Sequence, residues 1–330
     1  MPKLRNYASL KEKEAYFEFD NGVLHIDSKN DFNKFWKRLN NLKAEGVYCF
    51  RGSGEAKYKL FTSIQRLWIE RNLLALQIKF DQFIKKLIEQ TQRWNGESVV
   101  KFLSQNGVDK NNSLAYLSFM QHYGIPTPLL DFTTNPFTGL YFAAENARFS
   151  PSDEGIDEYF SLYIIDKTNP YFSEKSEQFK KDVLGLGLNG AIDYQLLSSN
   201  PFLFISIDKF EEGKHSGDKP VYKQDNPAYK ILNNMNILNQ DGVFFYNSSP
   251  DVPIEICYLE VIKNDLNLYG SAFVDRAPYR EKFAECVNIN KNLRQFALDK
   301  LAKENIYAEY IYPDLDLLAK TTVERTLSTI

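Results

Sequence analysis

Two short stretches of the sequence combine residue types that can bind an anion or transfer a proton. The first is Phe50-Arg51-Gly52, which follows the apolar residues 47–49. A guanidinium presents a planar fork of N–H donors that fits phosphate or carboxylate, and a glycine beside it lets a ligand approach the backbone closely. The same pair also occurs at the solvated end of an ordinary strand, so the pair alone leaves both interpretations open.

The second stretch, residues 120–136, places polar side chains among apolar ones: Gln121, His122, Asp131, Thr133 and Thr134. Asp131 lies inside a strand-like run, where an unpaired carboxylate is costly to bury. The two threonines lie just before a helix start at Asn135-Pro136, where free backbone amides favour an anion. The alternative interpretation is a capping network in which Asp131 bonds local amides and His122 closes its helix.

A third motif, residues 185–190, matches the letters GxGxxG of the dinucleotide-binding turn. That turn requires a buried hydrophobic strand immediately before it. Residues 179–184 include Lys180, Lys181 and Asp182, which is too much charge for such a strand. A glycine-rich turn is therefore favoured over a dinucleotide site.

Apolar periodicity and turn residues predict the elements that must position these side chains. Helices are expected at residues 31–44, at 67–92 with a break at Asn95-Gly96, from a Ser113 cap to Gly124, from Asn135-Pro136 toward Arg148, from Asn226-Pro227 through Leu238, and at 292–303. Strands are expected at residues 22–26, 47–52, 129–133, 159–165, 242–246 and 254–262. Because helices and strands mix without regular βαβ alternation, the predicted class is α+β.

The same pattern divides the chain into three parts. Residues 1–30 are expected to form a lead-in strand, residues 31–150 a core with a helical insertion, and residues 151–330 a second α+β half that completes the same fold. The polar residues 150–158, with Pro151 and Gly155, mark the loop between the halves.

Composition excludes several classes of protein. The 43% hydrophobic and 25% charged residues are ordinary for a globular chain, and the net charge of −3 argues against a global electrostatic grip on nucleic acid. No apolar run approaches the roughly 18 residues of a membrane-spanning helix, and the N-terminal residues do not resemble a signal peptide. The three cysteines are far apart, which favours reduced thiols in a cytoplasmic protein. The three histidines form no HExxH motif, which disfavours a metal site.

Taken together, the two chemical stretches resemble a known family. Phe50-Arg51-Gly52, residues 121–127, residues 129–136 and Leu140-Tyr141-Phe142-Ala143 are similar to the bacterial FRG domain, named for its Phe-Arg-Gly motif. Residues 240–244 and 312–316 resemble later blocks of that family. The resemblance spans about residues 30–320 and departs from the family at Pro128, where an arginine is usual. It implies a bacterial or phage origin and a setting in defence or toxin-like operons.

The layout also resembles that of ADP-ribosyltransferases. Those enzymes have a strand ending in Arg-Gly or His-Gly, a Ser/Thr-led helix of the pattern Ala-x-x-Phe-Ala, and a later strand bearing glutamate or glutamine. Arg51-Gly52, Thr133-Thr134 with residues 139–143, and Gln240-Asp241-Gly242 are similar to these parts. The resemblance implies an ADP-ribosyltransferase-like core of mixed, mainly antiparallel sheets. It implies an enzyme that cleaves NAD as its substrate and modifies RNA, DNA or protein, with an antitoxin or chaperone as a further partner.

This resemblance gives each residue an expected role. Arg51 would hold the pyrophosphate or ribose, the Gly52 backbone would read the nicotinamide amide, and His122 would act as a base for a hydroxyl acceptor. The expected catalytic residues are Arg51, His122, Asp131 and Gln240, and the expected NAD-binding residues are Arg51, Gly52, Gln121, Thr133, Thr134, Tyr141 and Phe142. The usual catalytic glutamate has no obvious counterpart, because Gln240 lies near its place while Glu255 and Glu260 lie on the next expected strand.

Two other functions remain open from the sequence. A metal-dependent or RNase-like toxin would cut a phosphodiester with Arg51, Gln121, His122 and Asp131, helped by the basic residues 79–93 and by aromatic stacking on single strands. A non-catalytic sensor would use the aromatic-rich surface, 15% of all residues being aromatic, to bind a partner.

Overall fold

One seven-stranded sheet organises the chain in its computed structural model, which describes residues 4–19, 25–148, 155–185, 192–205, 211–213, 221–223, 237, 239–269, 281–312 and 326. The strands are β1 (His25–Ile26), β2 (Tyr48–Ser53), β3 (Leu129–Thr133), β4 (Tyr159–Asp166), β5 (Phe202–Ile205), β6 (Glu211–Gly213), β7 (Val221–Lys223), β8 (Gly242–Asn247) and β9 (Glu285–Asn290). The large sheet has the order β1-β9-β4-β2-β3-β8-β5, and β6 pairs only with β7. The β1–β9 pair is parallel and every other pair is antiparallel. The prediction of an α+β fold with a mixed, mainly antiparallel sheet is confirmed.

Eleven helices accompany these strands in the part of the chain that the structure describes. They are α1 (Leu10–Lys13), α2 (Lys29–Glu45), α3 (Ser63–Glu70), α4 (Phe80–Gln105), α5 (Ser113–His122), α6 (Pro136–Asn146), α7 (Pro170–Gly185), α8 (Tyr194–Ser198), α9 (Ile254–Tyr269), α10 (Arg294–Lys303) and α11 (Ala308–Ile311). Within the same described ranges, three short 3₁₀ segments lie at Leu73–Leu76, Gly155–Glu158 and Lys291–Leu293. None of the described helices combines the length and hydropathy of a membrane-spanning segment.

Local sequence signals explain the helix that borders the site. The Asn135 side chain accepts a hydrogen bond from the Phe137 backbone N–H, and Pro136 opens α6. Proline is favoured at this first position because its missing N–H would have no partner within the helix. The predicted strand at Leu129–Thr133 and the predicted helix start at Asn135-Pro136 are therefore both confirmed.

One predicted strand is wrong, because residues 254–262 belong to helix α9. The buried residues Ile254, Cys257, Tyr258 and Ile262 recur at helical spacing. The apparent alternation of a strand came from apolar residues that are only partly buried.

The predicted helix over residues 67–92 is wrong as one piece. Helix α3 ends at Glu70, and α4 begins at Phe80. Asn72 and Gln77 have positive φ angles of 50° and 56°, which a continuous helix cannot contain. The expected break at Asn95-Gly96 is confirmed by non-helical backbone angles at residues 94–97.

Smaller differences concern caps and ends. Asn112, not Ser113, caps α5 by accepting from the Ala115 N–H. The expected strand at 22–26 is observed at His25–Ile26. Most of the expected helix from Asn226-Pro227 through Leu238, most of the 150–158 loop and most of the 185–190 glycine motif lie outside the described residues.

Two groups of helices cover one face of the sheet and leave a gap between them. Residues that lie opposite each other in adjacent strands share a face, so Phe50 and Thr133 share a face. On this face α2, α6 and α10 cover the β1-β9-β4-β2 half of the sheet. Helices α3, α4, α5 and α8 cover the β3-β8-β5 half. The opposite face packs against α9 and the first turn of α7, whose later residues Phe179 and Val183 pack with the α3, α4, α5 and α8 group.

Candidate functional site

A cavity of about 340 Å³ lies in the gap between the two helix groups. Its floor comes from β2, β3 and β8, and its walls come from α5, α6 and the end of α11. A volume of this size falls within the range of ligand-binding clefts. The lining residues are Phe50, Arg51, Gly52, Ser118, Gln121, His122, Asp131, Phe132, Thr133, Phe142, Asn146, Ile237, Gln240, Gly242, Val243, Phe244 and Tyr312.

Arg51 enters this cavity where the ladder between β2 and β3 stops. The two strands pair at one position only, Phe50 opposite Thr133. Beyond it, Arg51 Nη1 donates to the main-chain carbonyl of Asp131 at 2.6 Å. The arginine side chain thus bonds a carbonyl that a continuous strand ladder would use.

The Arg51 guanidinium is short of acceptors. Among the described residues its sole hydrogen-bond acceptor is the Asp131 carbonyl, and its buried Nε–H has none. A guanidinium carries five N–H donors. Burial lowers the pKa of Arg51, and the Asp131 charge acts in the opposite direction. An anion in the cavity would stabilise this charge.

Asp131 is the carboxylate of the cavity. Its side chain is exposed to solvent. The surrounding protein nevertheless raises the pKa of Asp131 by desolvation, while Arg51, Gln121 and Arg66 lower it. Gln121 Nε2 donates to Asp131 Oδ2 at 2.6 Å. Arg51 and Arg66 therefore both lower the pKa of the Asp131 carboxyl. The positive charge of Arg66 also lowers the pKa of Arg51.

A buried threonine fixes the orientation of Gln121. Thr127 Oγ1 donates to Gln121 Oε1 and accepts from the Leu129 N–H at 3.2 Å. Thr127 is fully buried. Because the amide oxygen of Gln121 is held by this hydroxyl, its amide nitrogen must face Asp131.

His122 is the last residue of α5 and lines the cavity beside Gln121. Burial lowers the pKa of His122 from its ordinary value. The imidazole is therefore largely neutral at pH 7, which is the form that can accept a proton.

Two of the expected site residues, Thr133 and Gln240, already have protein partners. Thr133 Oγ1 donates to the Gln240 carbonyl at 2.5 Å and accepts from the Asn135 N–H at 3.0 Å. Gln240 Nε2 donates to the Ile311 carbonyl at 3.0 Å. Both residues line the cavity, and both also hold its walls together.

The structure gives Gly52 a packing role. A Cβ atom at this position would lie 2.3 Å from both Ala143 N and the Gly139 carbonyl oxygen. Helix α6 therefore approaches β2 closely at Gly52. This contact explains why residue 52 is a glycine without invoking a ligand. The expected contact of the Gly52 backbone with the nicotinamide amide stays a prediction.

Two aromatic rings form one wall. Phe142 and Tyr312 have ring centroids 6.1 Å apart at 67°. Tyr312 donates its hydroxyl to Glu145 Oε2 at 3.2 Å, and burial raises its pKa to about 12. Sequence reasoning missed Tyr312 as a site residue, although Tyr312-Pro313-Asp314 was among the blocks that resemble the family.

The cavity gathers most of the expected site residues. Arg51, Gly52, Gln121, His122, Asp131, Thr133, Phe142 and Gln240 line it. Thr134 and Tyr141 are not among the lining residues. The Thr134 N–H donates to the Asp241 carbonyl, and the Tyr141 hydroxyl donates to Glu145 at 2.8 Å from a buried ring. Ser118, Asn146 and Phe244 line the cavity without having been expected.

Neither glutamate considered as a catalytic acid reaches the cavity. Glu255 is fully buried on α9, where it accepts from the Tyr7 hydroxyl at 2.5 Å and the Leu60 N–H at 3.2 Å. Glu260 lines a separate cavity. Among the described lining residues, Asp131 is the one carboxylate. No group of three or more His, Cys, Asp or Glu side chains within the described part is placed to share a metal ion.

Fold and site together define an α+β protein with a half-buried arginine and a carboxylate in a cleft of its central sheet. Residues 46–151 match the family model of the FRG domain. The chain thus contains an FRG domain, as the resemblance predicted, and the matched segment supplies Arg51, Gln121, His122, Asp131 and Thr133. Neither the curated proteins nor the solved structures gave a significant match.

Proposed function

We propose that this chain is an ADP-ribosyltransferase that cleaves NAD and transfers ADP-ribose to a macromolecule. The observation that carries the proposal is that Arg51 and Thr133, on adjacent strands, line one cavity with Asp131. The setting would be the bacterial cytoplasm, in a toxin–antitoxin or anti-phage system, with an antitoxin or chaperone as a partner.

Arg51 would bind the pyrophosphate of NAD. Its Nε–H is buried without an acceptor, and the guanidinium has a single acceptor among the described residues. Arginine binds phosphate through two parallel hydrogen bonds. The negative charge of the substrate would offset the cost of burying the cation, which favours substrate over water in the cavity.

Asp131 would act on the ribose. Breaking the bond between nicotinamide and ribose develops positive charge on the sugar, and a fixed carboxylate stabilises that charge. Gln121 holds Asp131 at 2.6 Å. Asp131 would take this role in place of a glutamate because Gln240 is neutral and donates to Ile311.

The aromatic wall would hold a ring of the substrate. Phe142 and Tyr312 line the cavity and face each other edge to face. Ring contacts of this kind contribute about 0.5–1.5 kcal/mol. His122, whose lowered pKa leaves it neutral, would take a proton from the acceptor.

A second candidate uses the same residues. Arg51, Gln121, His122 and Asp131 all line one cavity, and this set also suits cleavage of a phosphodiester by a metal-dependent or RNase-like toxin. The two functions differ in their need for NAD.

The test incubates the full chain with labelled NAD and cell extract, and follows nicotinamide release and label in separated protein and nucleic-acid fractions. Wild type should release nicotinamide and label one fraction. Arg51→Ala should lose about 100-fold or more of the release rate. Arg93→Ala, an exposed arginine of α4, should behave as wild type.

Circular dichroism and thermal unfolding of Arg51→Ala would show that the chain still folds. The proposal fails if wild type releases no nicotinamide and labels neither fraction. Shortening of RNA or DNA without NAD would support the phosphodiester-cleaving function instead.

A further inference from the structure

Two exposed aromatic rings adjoin the cavity: Tyr312 in its lining and Tyr123 beside the lining residue His122. Nine large hydrophobic side chains of the described residues are at least 39% exposed. Five of them lie on or next to segments beside the cavity: Tyr123 follows α5, Tyr307, Tyr310 and Tyr312 lie on or beside α11, and Phe102 of α4 packs against Phe119 of α5. Exposed apolar groups concentrated in one region of a surface mark a binding site.

On one side the rings form a continuous row that starts at a lining residue. The His122 and Tyr123 rings are 4.7 Å apart, and those of Tyr123 and Phe119 are 4.5 Å apart. Phe119 and Phe102 follow at 6.3 Å. Tyr123 is 60% exposed, so its ring is open to a partner.

On the other side the rings belong to α11 and to the residues immediately before and after it. Tyr307 and Tyr310 are 43% and 39% exposed, and Tyr312 lines the cavity itself. The Tyr310 and Ile311 carbonyls accept from Asn239 and Gln240. Hydrogen bonds therefore hold this side against the cavity floor.

The centre of the cavity offers hydrogen-bond donors to a phosphate. Arg51 lines the cavity, and its buried Nε–H has no acceptor among the described residues. Arg66, outside the lining, adds a second positive charge that lowers the pKa of Asp131, although the whole chain carries a net charge of −3. Aromatic rings beside a cationic cleft are the arrangement by which proteins bind single-stranded nucleic acid.

We propose that the acceptor of ADP-ribose is a base of a single-stranded nucleic acid whose neighbouring bases stack on Tyr123 and the ring row. This inference rests on the proposed NAD-cleaving function. In the reaction, the bond from ribose C1′ to nicotinamide breaks and nicotinamide leaves with the electron pair. A nitrogen of the acceptor base forms the new bond to C1′, and the proton it loses passes to the His122 imidazole and then to solvent.

Binding is tested first, with fluorescent single-stranded RNA and DNA of one sequence and no NAD present. Tyr123→Ala and Phe102→Ala should weaken binding about fivefold or more, the effect of losing one base-stacking ring. Tyr123→Phe should bind as wild type, and Tyr123→Leu should bind as weakly as Tyr123→Ala. Tyr58→Ala, at a 49% exposed tyrosine outside this region, is the matched control. A preference for RNA over DNA would indicate contact with the 2′-hydroxyl.

Transfer is tested with labelled NAD and the same oligonucleotides. Wild type should label the oligonucleotide, and Tyr123→Ala should reduce labelling at least fivefold, whereas without oligonucleotide, when water is the acceptor, both proteins should release nicotinamide at the same rate. Label that enters only protein, or oligonucleotides that do not bind, would overturn the inference and leave the proposed function intact. Absence of nicotinamide release from wild type would reject the proposed function and the acceptor assignment together.

Discussion

A Cβ atom built on Gly52 would lie 2.3 Å from the backbone nitrogen of Ala143. The converse contact is at Gly139, where a Cβ would lie 2.8 Å from Phe50 Cβ. Each glycine therefore lets α6 rest directly on β2. The same contact places Phe142 and Asn146 of α6 along the cavity next to Arg51. Gly52 thus links the packing of the sheet to the shape of the cleft.

Gly52→Ala should destabilise the fold strongly, because the clash is with backbone atoms that cannot rotate away. Overpacking of this kind costs about 1–3 kcal/mol. Gly124→Ala is the control, since Gly124 has φ 73° but no atom within 4 Å of a new Cβ, and should cost about 1 kcal/mol. Urea unfolding measures both. A Gly52→Ala protein of wild-type stability that had lost NAD cleavage would show that Gly52 serves the ligand instead.

Thr127→Val should impair the site without touching substrate. The Thr127 hydroxyl bonds Gln121 Oε1 and the Leu129 N–H, so its loss leaves the buried Leu129 N–H without this partner, at a cost of about 1–3 kcal/mol, and releases the Gln121 amide oxygen. Gln121 would then be free to turn its amide away from Asp131. Nicotinamide release should fall about tenfold at temperatures where the variant is folded, a loss of about 1.4 kcal/mol in transition-state stabilisation.

Thr127→Ser keeps the hydroxyl and should restore activity. A Thr127→Val enzyme with wild-type rates would contradict the positioning role of Thr127. So would a Thr127→Ser enzyme as slow as Thr127→Val.

The sequence was informative where the local signals and the tertiary structure agree. Asn135-Pro136 predicts the start of α6 because capping and proline geometry are local. The predicted strand at residues 254–262 was wrong because a short apolar run fits the helical period as well as the strand period. Which of its residues become buried, and hence that the segment is a helix, depends on the elements that pack against it.

The candidate site could be predicted only where one segment supplies it. Gln121, His122, Asp131 and Thr133 come from one continuous stretch, and their proximity followed from it. Tyr312 joins them through contacts of α11 with residues 239–240, at a sequence distance that no local pattern encodes. Nor does the sequence show that the Thr133 hydroxyl bonds the Gln240 carbonyl.

Glu255 should make stability depend on pH. Burial raises the pKa of this carboxyl, against the hydrogen bonds from Tyr7 and Leu60. The folded state then holds its proton to a higher pH than the unfolded chain. The contribution of protonated Glu255 to the free energy of unfolding is complete below the ordinary glutamate pKa of about 4.3. It is lost as pH rises through the raised pKa of the folded state.

Glu255→Gln cannot ionise and should lack this decline. As pH rises from about 4, the unfolding free energy of wild type should fall relative to that of Glu255→Gln. Thermal unfolding across pH measures it, with Glu260→Gln, an exposed position on the same helix, keeping the wild-type profile. Parallel profiles for wild type and Glu255→Gln would show that burial does not perturb this carboxyl.

Tyr312→Ala should weaken NAD binding more than it slows the reaction. The ring lies 6.1 Å from that of Phe142 in the cavity wall, and losing an aromatic contact costs about 0.5–1.5 kcal/mol, so KM for NAD should rise about threefold to tenfold. The raised pKa of about 12 keeps the Tyr312 hydroxyl a donor to Glu145, yet Tyr312→Phe should bind NAD nearly as wild type because the ring is retained. Tyr310→Ala, at a neighbouring tyrosine outside the lining, should leave KM unchanged. A fall in kcat at constant KM would mean that Tyr312 acts on the reacting groups and not on substrate binding.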